Sequence, residues 1–400
     1  MKQKVLFVDG ETLELKDLMN KLAARPHPWE LLYARNGLEA LGVLGKTVCD
    51  AVVADLRLAD MSGDQLLGQV MKQFPQVHRV ALADLADLQS LLRCVGNVYQ
   101  FLTKPCDAER LQVVLNRAFA FDFWLPNPTA RKLIGSMPQL PSPASHYAQV
   151  VRELQSAAAS PESVGALFAQ DPAMTARVLQ LANSAAGGSP PDEADPVHAV
   201  KELGLANTKA MLLLSHTYAN FNALDGSGFS VEALWRHSQE TGRLAAWIAR
   251  HELADGATGQ QAATAGLLHD IGKLALAANL PDQFRQVLQL VGAGNLSSWR
   301  AEQQVFGATH GEVGGWLLGI WGLPVPVVEA VALHHHPVRF LSGAFSPLAA
   351  VHVANAFLHA DSLARAQALV EADYLRASGL EKKLPEWWAQ RPAQTPPSKS

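Results

Sequence analysis

Hydrophobic and polar positions alternate in two different ways along this chain, and the pattern changes near residue 123. Before that point, short apolar runs alternate with longer amphipathic segments. The apolar runs predict five buried strands, at residues 5–8, 31–34, 51–54, 80–82 and 99–102. The amphipathic segments predict helices at residues 13–22, 37–44, 63–73 and 108–120. This alternation predicts an α/β domain, a doubly wound, five-stranded parallel sheet with helices on both faces.

A connector punctuated by prolines separates this part from the rest of the chain. After it, strand-like runs largely disappear and short amphipathic helices take their place. The end of the chain is rich in Pro, Gln and Ser. We therefore expect a multidomain protein, with an α/β domain at 1–122, a linker at 123–135, an all-α domain at 136–382 and a flexible tail at 383–400.

Composition and charge exclude several classes of function. A net charge of -4 and the absence of Lys/Arg runs argue against a nucleic-acid or membrane-surface partner. The three cysteines form no CxxC pair, so neither a disulfide framework nor a zinc knuckle is indicated. The apolar run at the N-terminus is too short for a signal peptide, and the most apolar long window, 316–333, is interrupted by prolines and a glutamate. We expect a cytoplasmic protein.

Charged residues stand where three of the predicted strands end. Asp9 follows the first strand, Asp55 follows the run at 51–54, and Lys104 follows the run at 99–102. In an open parallel sheet, these carboxyl ends share one crevice, which is where such folds place their functional groups. A carboxylate there can accept a phosphoryl group while a neighbouring acid holds Mg²⁺ and a lysine neutralises the phosphate.

Three segments carry a resemblance to a known family: Val-Asp-Gly-Glu at 8–11, Val-Ala-Asp at 53–55 with Met-Ser-Gly at 61–63, and Phe-Leu-Thr-Lys-Pro at 101–105. In order and spacing they resemble a response-regulator receiver domain, which has a flavodoxin-like fold. The resemblance covers residues 1 to about 122. It implies a phosphoacceptor at Asp55, an acidic Mg²⁺ pocket at Asp9 and Glu11, a phosphoryl contact at Lys104 and an aromatic switch residue at Phe101. It also implies a sensor histidine kinase as phosphodonor.

Two positions depart from the receiver pattern. Gly10 stands where receivers usually carry a second Mg²⁺-binding acid, and Ala83 replaces the Ser/Thr whose hydroxyl bonds the phosphoryl oxygen. The first change weakens metal binding, and the second removes the hydrogen bond that couples phosphate to conformation. A pseudo-receiver used for docking or dimerisation therefore stays open beside a phosphorylated switch, as does a homodimer.

Histidines recur on separate predicted helices in the second part of the chain. They surround an adjacent His-Asp pair, and the candidate metal ligands are His237, His269, Asp270, His310, His334 and His335. Imidazole and carboxylate side chains suit divalent transition metals, which lower the pKa of a bound water and clamp phosphodiesters. Lys273, one turn beyond Asp270, would bring an ammonium to a bound phosphate. A lone histidine on an apolar helix is usually a packed core residue, and His251, His352 and His359 are expected to be structural or on the surface.

Further motifs around these histidines identify a second family. They include Met-Pro-Gln-Leu-Pro at 137–141, Gln-Asp-Pro-Ala-Met-Thr at 170–175, Leu-Gln-Leu-Ala-Asn-Ser at 179–184 and Trp-Gly-Leu-Pro at 321–324. The region from about 135 to 360 resembles the HDOD family, which is related to HD and HD-GYP phosphohydrolases. The resemblance implies a site for Fe, Mn, Zn or Ni on the six ligands. Asn355, however, replaces a ligand aspartate, and the Gly-Tyr-Pro element is absent after His335, which disfavours cyclic-di-GMP hydrolysis.

Three hypotheses of function follow from these two resemblances. The favoured one is a two-component-type regulator whose receiver controls an HDOD protein-interaction module and a downstream signalling protein. The second is a metal-dependent phosphohydrolase that acts on a nucleotide or phosphodiester, is gated by the receiver and uses Lys273. The third, weaker than both, is a structural metal or a nucleotide bound without turnover.

Overall fold

A computed structural model of the chain describes residues 2–10, 13–84, 97–137, 140, 142, 144–156, 158–185, 193–214, 229–252, 254–294, 296–337 and 345–393. Glu11, one of the expected pocket residues, lies outside these ranges. The N-terminal part is built on a sheet of five parallel strands, which are β1 Lys4–Val8, β2 Glu30–Ala34, β3 Ala51–Asp55, β4 His78–Asp84 and β5 Gln100–Lys104. Their spatial order is β2-β1-β3-β4-β5.

This order has the topology of a doubly wound sheet, and the predicted fold class is confirmed. The described helices of this part are α1 Leu13–Ala23, α2 Gly37–Lys46, α3 Gly63–Gln73 and α4 Ala108–Trp124. One face of the sheet packs on α1 and α4 through a core that contains Phe7, Leu111 and Leu115. The apolar residues of the other face join the core that extends into the second part of the chain.

The rest of the described chain is helical. Its helices are α5 Pro128–Gly135, α6 Ala144–Gln155, α7 Pro161–Phe168, α8 Pro172–Ala185, α9 Pro196–Leu203, α10 Leu205–Leu214, α11 Val231–His251, α12 Gly256–Leu268, α13 Ile271–Asn279, α14 Pro281–Gly292, α15 Ser298–Phe306, α16 His310–Ile320, α17 Val325–Leu333, α18 Pro347–Leu358, α19 Leu363–Leu369, α20 Ala372–Ala377, a 3₁₀ turn Glu381–Lys383 and α21 Leu384–Gln390. None of the helices in the described ranges combines the length and the apolar composition that a membrane crossing needs.

The predicted linker at 123–135 is mostly helical. Pro128 occupies the first turn of α5, and the side chain of Asn127 caps that helix by accepting hydrogen bonds from the backbone N–H of Thr129 and Ala130. Proline suits a first turn because its missing N–H has no intrahelical partner there. Helix α5 packs directly on the sheet domain, since a Cβ atom added at Gly135 would lie 1.8 Å from the carbonyl oxygen of Pro75.

The prediction of a flexible tail from residue 383 onwards is wrong for the residues up to Gln390. Leu384–Gln390 form a helix in which Trp387 is fully buried, and its indole N–H donates a hydrogen bond of 3.0 Å to Oε1 of Glu252. Lys383 contacts the same carboxylate at 3.2 Å. The apolar surface of Trp387 outweighs the polar composition around it, because burying an aromatic side chain stabilises by about 2 kcal/mol.

The sheet domain and the helical domain share a close interface. Strand β5 and helix α4 face α8 and α16, and glycines let the two surfaces approach. A Cβ atom added at Gly319 would lie 2.6 Å from the ring of Phe121, and one at Gly322 would lie 2.6 Å from the amide of Gln100. The indole N–H of Trp316 donates to the carbonyl oxygen of Leu125 at 3.0 Å. At these glycines, therefore, the backbone of the helical domain lies directly against side chains of the sheet domain.

Candidate phosphoacceptor and metal sites

The acids at the strand ends lie side by side, as their positions in the sequence predict. Val8 of β1 pairs with Ala54 of β3, so the next residues, Asp9 and Asp55, leave the sheet together. Both carboxylates are buried. Asp55 forms an ion pair with the Lys104 ammonium and accepts a hydrogen bond of 2.9 Å from the backbone N–H of Arg57. The crevice thus holds an acid that a phosphoryl group could modify and a cation that would neutralise it.

The structure also shows what the two departures remove. A Cβ atom at Gly10 would meet only ordinary contacts of 3.6–3.7 Å, so close packing of the backbone does not require glycine at this position. Ala83 is buried on β4 and pairs with Thr103 of β5, with no hydroxyl to offer. Phe101 is also buried, two per cent exposed, in the core on the side of the helical domain.

The predicted histidine ligands come together from four parts of the helical domain. His237 lies on α11, and the His269-Asp270 pair occupies the junction between α12 and α13. His310 is the first residue of α16, and the remaining ligands, His334 and His335, directly follow α17. The buried members are His269, Asp270, His310 and His334, each at most one per cent exposed.

Glycine makes this convergence possible. A Cβ atom at Gly272, two residues after Asp270, would lie 2.0 Å from the carbonyl oxygen of His310, so only glycine lets α13 and α16 meet at this point. A Cβ atom at Gly266 would lie 2.7 Å from the Cα of Gly242, where α12 crosses α11. Both close contacts flank the His-Asp pair and hold its two helices against those that carry the other ligands.

Hydrogen bonds fix the orientation of three of these imidazoles. Nδ1 of His269 lies 2.8 Å from the carbonyl oxygen of Gly266, and Nδ1 of His334 lies 2.8 Å from that of Val331. Nδ1 of His310 lies 2.6 Å from Oε2 of Glu302. Because a carbonyl or carboxylate oxygen only accepts, each Nδ1 carries a proton, and in its neutral form each ring presents the lone pair of Nε2 to the centre.

These lone pairs converge in a way that calls for a positive charge. Nε2 of His310 lies 3.3 Å from Nε2 of His334 and 3.1 Å from Nε2 of His335. A second group, His237, His269 and Asp270, has its donor atoms within 4.8 Å of one another. Since Nδ1 carries the proton in both His310 and His334, their two Nε2 lone pairs cannot form a hydrogen bond with each other, and either an extra proton or a cation must lie between them. The donor set of imidazole nitrogens and one carboxylate fits a divalent transition metal.

Two buried polar atoms at the centre have no hydrogen-bond partner among the described residues: Nε2 of His269 and Oδ1 of Asp270. Oδ1 of Asp270 lies 3.2 Å from Nε2 of His310 without the geometry of a hydrogen bond. Buried polar atoms of this kind are rare in native proteins and often mark a bound water or ion. They are therefore an observation of this structure that fits a metal ion.

Burial and charge set the protonation states at this centre. Burial lowers the pKa of His237 to about 4 and that of His269 to about 3, so both rings are neutral at pH 7. Burial alone would raise the pKa of Asp270, but nearby cationic groups hold it well below its usual value. Since His269 is neutral at pH 7, the lasting cation is Lys273, whose Nζ lies 2.8 Å from Oδ2 of Asp270.

Glu302 is a residue of the candidate metal site that was not among the residues predicted from the sequence. It is fully buried, and its carboxylate accepts hydrogen bonds from both the backbone N–H and Nδ1 of His310. Burial lowers the pKa of His310, but the Glu302 carboxylate outweighs this and raises it above its ordinary value. A carboxylate behind a histidine is the usual arrangement that orients a metal ligand. The sequence could have indicated Glu302, because it is a charged residue on the face of α15 that Ala301 and Phe306 bury.

Asn355 and two other histidines complete the surroundings. The side-chain oxygen of Asn355 lies 3.1 Å from Nε2 of His237, so the amide occupies the place expected for the lost aspartate. His352 is structural, as expected, because its Nδ1 lies 2.7 Å from the carbonyl oxygen of His334 and its Nε2 accepts from the backbone N–H of Glu371. His359 is exposed, but its ring centre lies 4.8 Å from that of His237.

Comparison with known proteins places both halves of the chain in families. Residues 5–116 match the response regulator receiver domain, and residues 140–337 match the HDOD domain. The chain is a receiver–HDOD fusion. Both resemblances seen in the sequence are confirmed, and the fusion is a response-regulator-type signalling protein. A receiver domain implies a phosphodonor such as a histidine kinase.

The chain spans less than half the length of the curated relatives it matches. An uncharacterized protein of Treponema pallidum (strain Nichols) is 27% identical over 208 residues, which is 51% of this chain and 38% of that protein. The luminescence regulatory protein LuxO of Vibrio campbellii is 30% identical over 129 residues, 32% of this chain and 28% of that protein. Among solved structures, the MmoQ response regulator of Methylococcus capsulatus is 25% identical, covers 63% of this chain and 98% of that one, and has a TM-score of 0.47.

Proposed function

We propose that the receiver domain controls the HDOD domain through the interface between them, and that the HDOD domain passes the signal to a protein partner. The contacts across the interface support this proposal. The strand that ends at Lys104, beside Asp55, is the same strand that packs against α8 of the HDOD domain. A change at the phosphoacceptor site therefore has a short physical route to the HDOD surface.

The contact between α8 and the receiver beside β5 includes polar groups, some of them fully buried. The side-chain amide of Gln180 donates to the carbonyl oxygen of Tyr99 at 3.1 Å, and its oxygen accepts from Nη1 of Arg177 at 2.9 Å. Nearby, Nη2 of Arg110 donates to the carbonyl oxygen of Ser184 at 2.6 Å. Polar groups such as these can exchange partners with water when surfaces separate, whereas purely apolar surfaces cannot. The interface is thus suited to a change of packing.

The test begins with the receiver. The full chain is incubated with acetyl phosphate and Mg²⁺, and the modification is followed by intact mass. Hydrogen exchange is measured in the same samples over residues 97–104 and 172–185. A phosphorylated switch should show an added phosphoryl group and faster exchange in both segments. Asp55→Asn is the matched control and should show neither change.

Two other outcomes are informative. If the chain gains no more label than Asp55→Asn, the phosphorylated switch is refuted and the pseudo-receiver, expected from Gly10 and Ala83, replaces it. If Asp55 is modified but exchange stays the same in both segments, control through this interface is wrong.

The histidine cluster favours a second candidate function, a metal-dependent phosphohydrolase. The residues that would hold metal are His237, His269, Asp270, His310, His334 and His335, and the two partnerless buried atoms support their fit. A bound divalent cation would supply Lewis-acid chemistry and a water of lowered pKa. Lys273, 17% exposed beside Asp270, would meet the phosphate. Against this candidate stands Asn355, because an amide cannot neutralise the charge of a cation.

Metal analysis and turnover separate the candidates. Purified protein is assayed for Fe, Mn, Zn and Ni by mass spectrometry, with a His269→Ala, Asp270→Ala double variant as control. A metal present in the chain and lost in the variant supports the site, and its absence removes both the hydrolase and the structural-metal hypotheses. Release of nitrophenol from bis(p-nitrophenyl) phosphate by the metal-loaded chain, but not by the variant, would support hydrolysis over the interaction module.

A further inference from the structure

A second cavity of the HDOD domain lies apart from the histidine cluster. It has a volume of about 490 Å³ and is walled by α11, α12 and the junction of α7 with α8. Sites for small ligands usually have volumes between about 300 and 1,000 Å³. The contact of Gly242 with Gly266 explains its position, because two helices that touch at one point diverge away from it. The floor is made of small or apolar side chains, among them Ala246, Ala263 and Leu267.

The rim of this cavity carries two arginines, of which Arg250 has no anionic partner among the described residues. Arg243 and Arg250 both line it, and no aspartate or glutamate is among the described lining residues. They are one heptad apart on α11, about 10 Å along the helix axis. Arg243 is engaged with Glu240 at 2.5 Å and donates to the carbonyl oxygen of Ala393 at 3.0 Å. The guanidinium of Arg250, in contrast, forms no hydrogen bond or ion pair with the described residues.

Amide groups add hydrogen-bonding capacity at the same wall. The cavity is lined by Gln170, Gln239 and Gln260. The side chain of Gln260 is half-buried and, within the described part of the chain, has no hydrogen-bond partner. A side-chain amide offers a donor and an acceptor together, which is the pattern that the edge of a nucleobase complements.

The helix geometry separates this cavity from the histidines. At about 100° per residue, Gln239 points about 160° and Arg243 about 120° away from His237 on the same helix. The cavity therefore opens on the other side of the α11–α12 pair from the candidate metal ligands. A ligand here would contact the outer faces of two helices whose inner faces carry His237 and His269.

We propose that this cavity binds a nucleoside monophosphate. Its phosphate would lie on the Arg250 guanidinium with Arg243 beside it, its base would pack on Ala246 and Leu267, and Gln260 would meet the edge of the base. A charge-assisted contact of guanidinium and phosphate is the strongest single term, and the apolar floor makes a bare phosphate an incomplete ligand.

The test measures binding of GMP and AMP to the full chain by calorimetry in the presence of EDTA, so that no metal at the histidine cluster contributes. Guanosine, adenosine and inorganic phosphate are the comparison probes. Binding of at least one nucleotide should exceed that of its nucleoside and of phosphate by tenfold or more. Arg250→Gln should weaken it at least tenfold, and Ala263→Leu, which fills the floor, should abolish it. Arg236→Gln, an exposed arginine of the same helix outside the cavity, should leave it unchanged.

Several results would overturn the proposal. They are no binding of either nucleotide, equal binding of nucleoside and nucleotide, equal binding of phosphate alone, or equal loss in Arg236→Gln and Arg250→Gln. Circular dichroism confirms that each variant folds, and the two arginine variants replace exposed side chains.

Discussion

Gln180 gives the sharpest test of the receiver–HDOD interface. It is fully buried, and it links the carbonyl oxygen of Tyr99 in the receiver to the guanidinium of Arg177 in the HDOD domain. Gln180→Leu keeps the side-chain volume but removes these two hydrogen bonds and a longer one, of 3.4 Å, to the carbonyl oxygen of Val98. The hydrogen bond from the Gln180 amide to the carbonyl oxygen of Tyr99 contributes about 1 kcal/mol, and the hydrogen bond from the charged Arg177 guanidinium contributes about 2 kcal/mol. The contact with the receiver should therefore lose about 1 kcal/mol, and the loss of the bond between Gln180 and Arg177, which both lie on α8, should bring the total loss of stability to about 3 kcal/mol.

The assay is urea unfolding of the full chain followed by tryptophan fluorescence. Trp316 and Trp321 lie at this interface and should report its opening. In Gln180→Leu, the fluorescence change should move to lower urea or split into two steps as the domains separate. Hydrogen exchange at residues 97–104 should rise in parallel.

Gln112→Leu provides the matched control. Its amide donates to the carbonyl oxygen of Pro26 at 2.8 Å, but on the exposed surface of the receiver. Water replaces that bond at little cost, so the free energy of unfolding should change by less than about 0.5 kcal/mol. If Gln180→Leu behaves like Gln112→Leu, the domains are not packed through this contact and the proposed control loses its basis.

Three further predictions concern other parts of the molecule. Burial lowers the pKa of His78, which lies between Tyr99, Phe119 and Trp316. Because the folded state favours the neutral imidazole, the free energy of unfolding should fall as the pH drops below about 6.5. In urea titrations, His78→Phe should reduce that pH dependence by up to about 1.4 kcal/mol per pH unit. Glu302→Gln should weaken metal binding about 10- to 100-fold in chelator competition, since it withdraws the carboxylate behind His310, and an unchanged affinity would contradict that role. Ala83→Thr should enlarge the exchange difference that acetyl phosphate produces; no gain would show that a missing hydroxyl does not limit coupling.

Local pattern was enough to predict the sheet and the chemistry at its edge. The five apolar runs became five strands because a parallel strand buried on both faces must be apolar along its length. Asp55 and Lys104 met because strand ends in such a sheet share an edge. The convergence of the histidines could be predicted because the motifs around them follow the order of one family, but the spacing of these residues did not reveal which Nε2 atoms face each other.

The interface and the tail were beyond local pattern. The Gln180 and Tyr99 that meet are 81 residues apart, and no periodicity states which face of α8 covers β5. Pro128 looked like a linker marker, but the same ring also suits the first turn of a helix once Asn127 caps it. The composition rich in Pro, Gln and Ser predicted a flexible tail around Trp387, because the contact of this residue with Glu252 spans 135 residues and leaves no local signal.

The histidine cluster has a consequence that is independent of catalysis. Its lone pairs converge in a buried volume, so the folded HDOD domain needs a charge there, either a cation or a proton on His310, whose pKa is raised. Anything that binds the folded state and not the unfolded chain stabilises it by mass action. A divalent metal should thus raise the melting temperature even if the domain never turns over a substrate. Metal-dependent stability and hydrolysis must therefore be measured separately, since only turnover distinguishes an enzyme from an interaction module that uses a metal to fold.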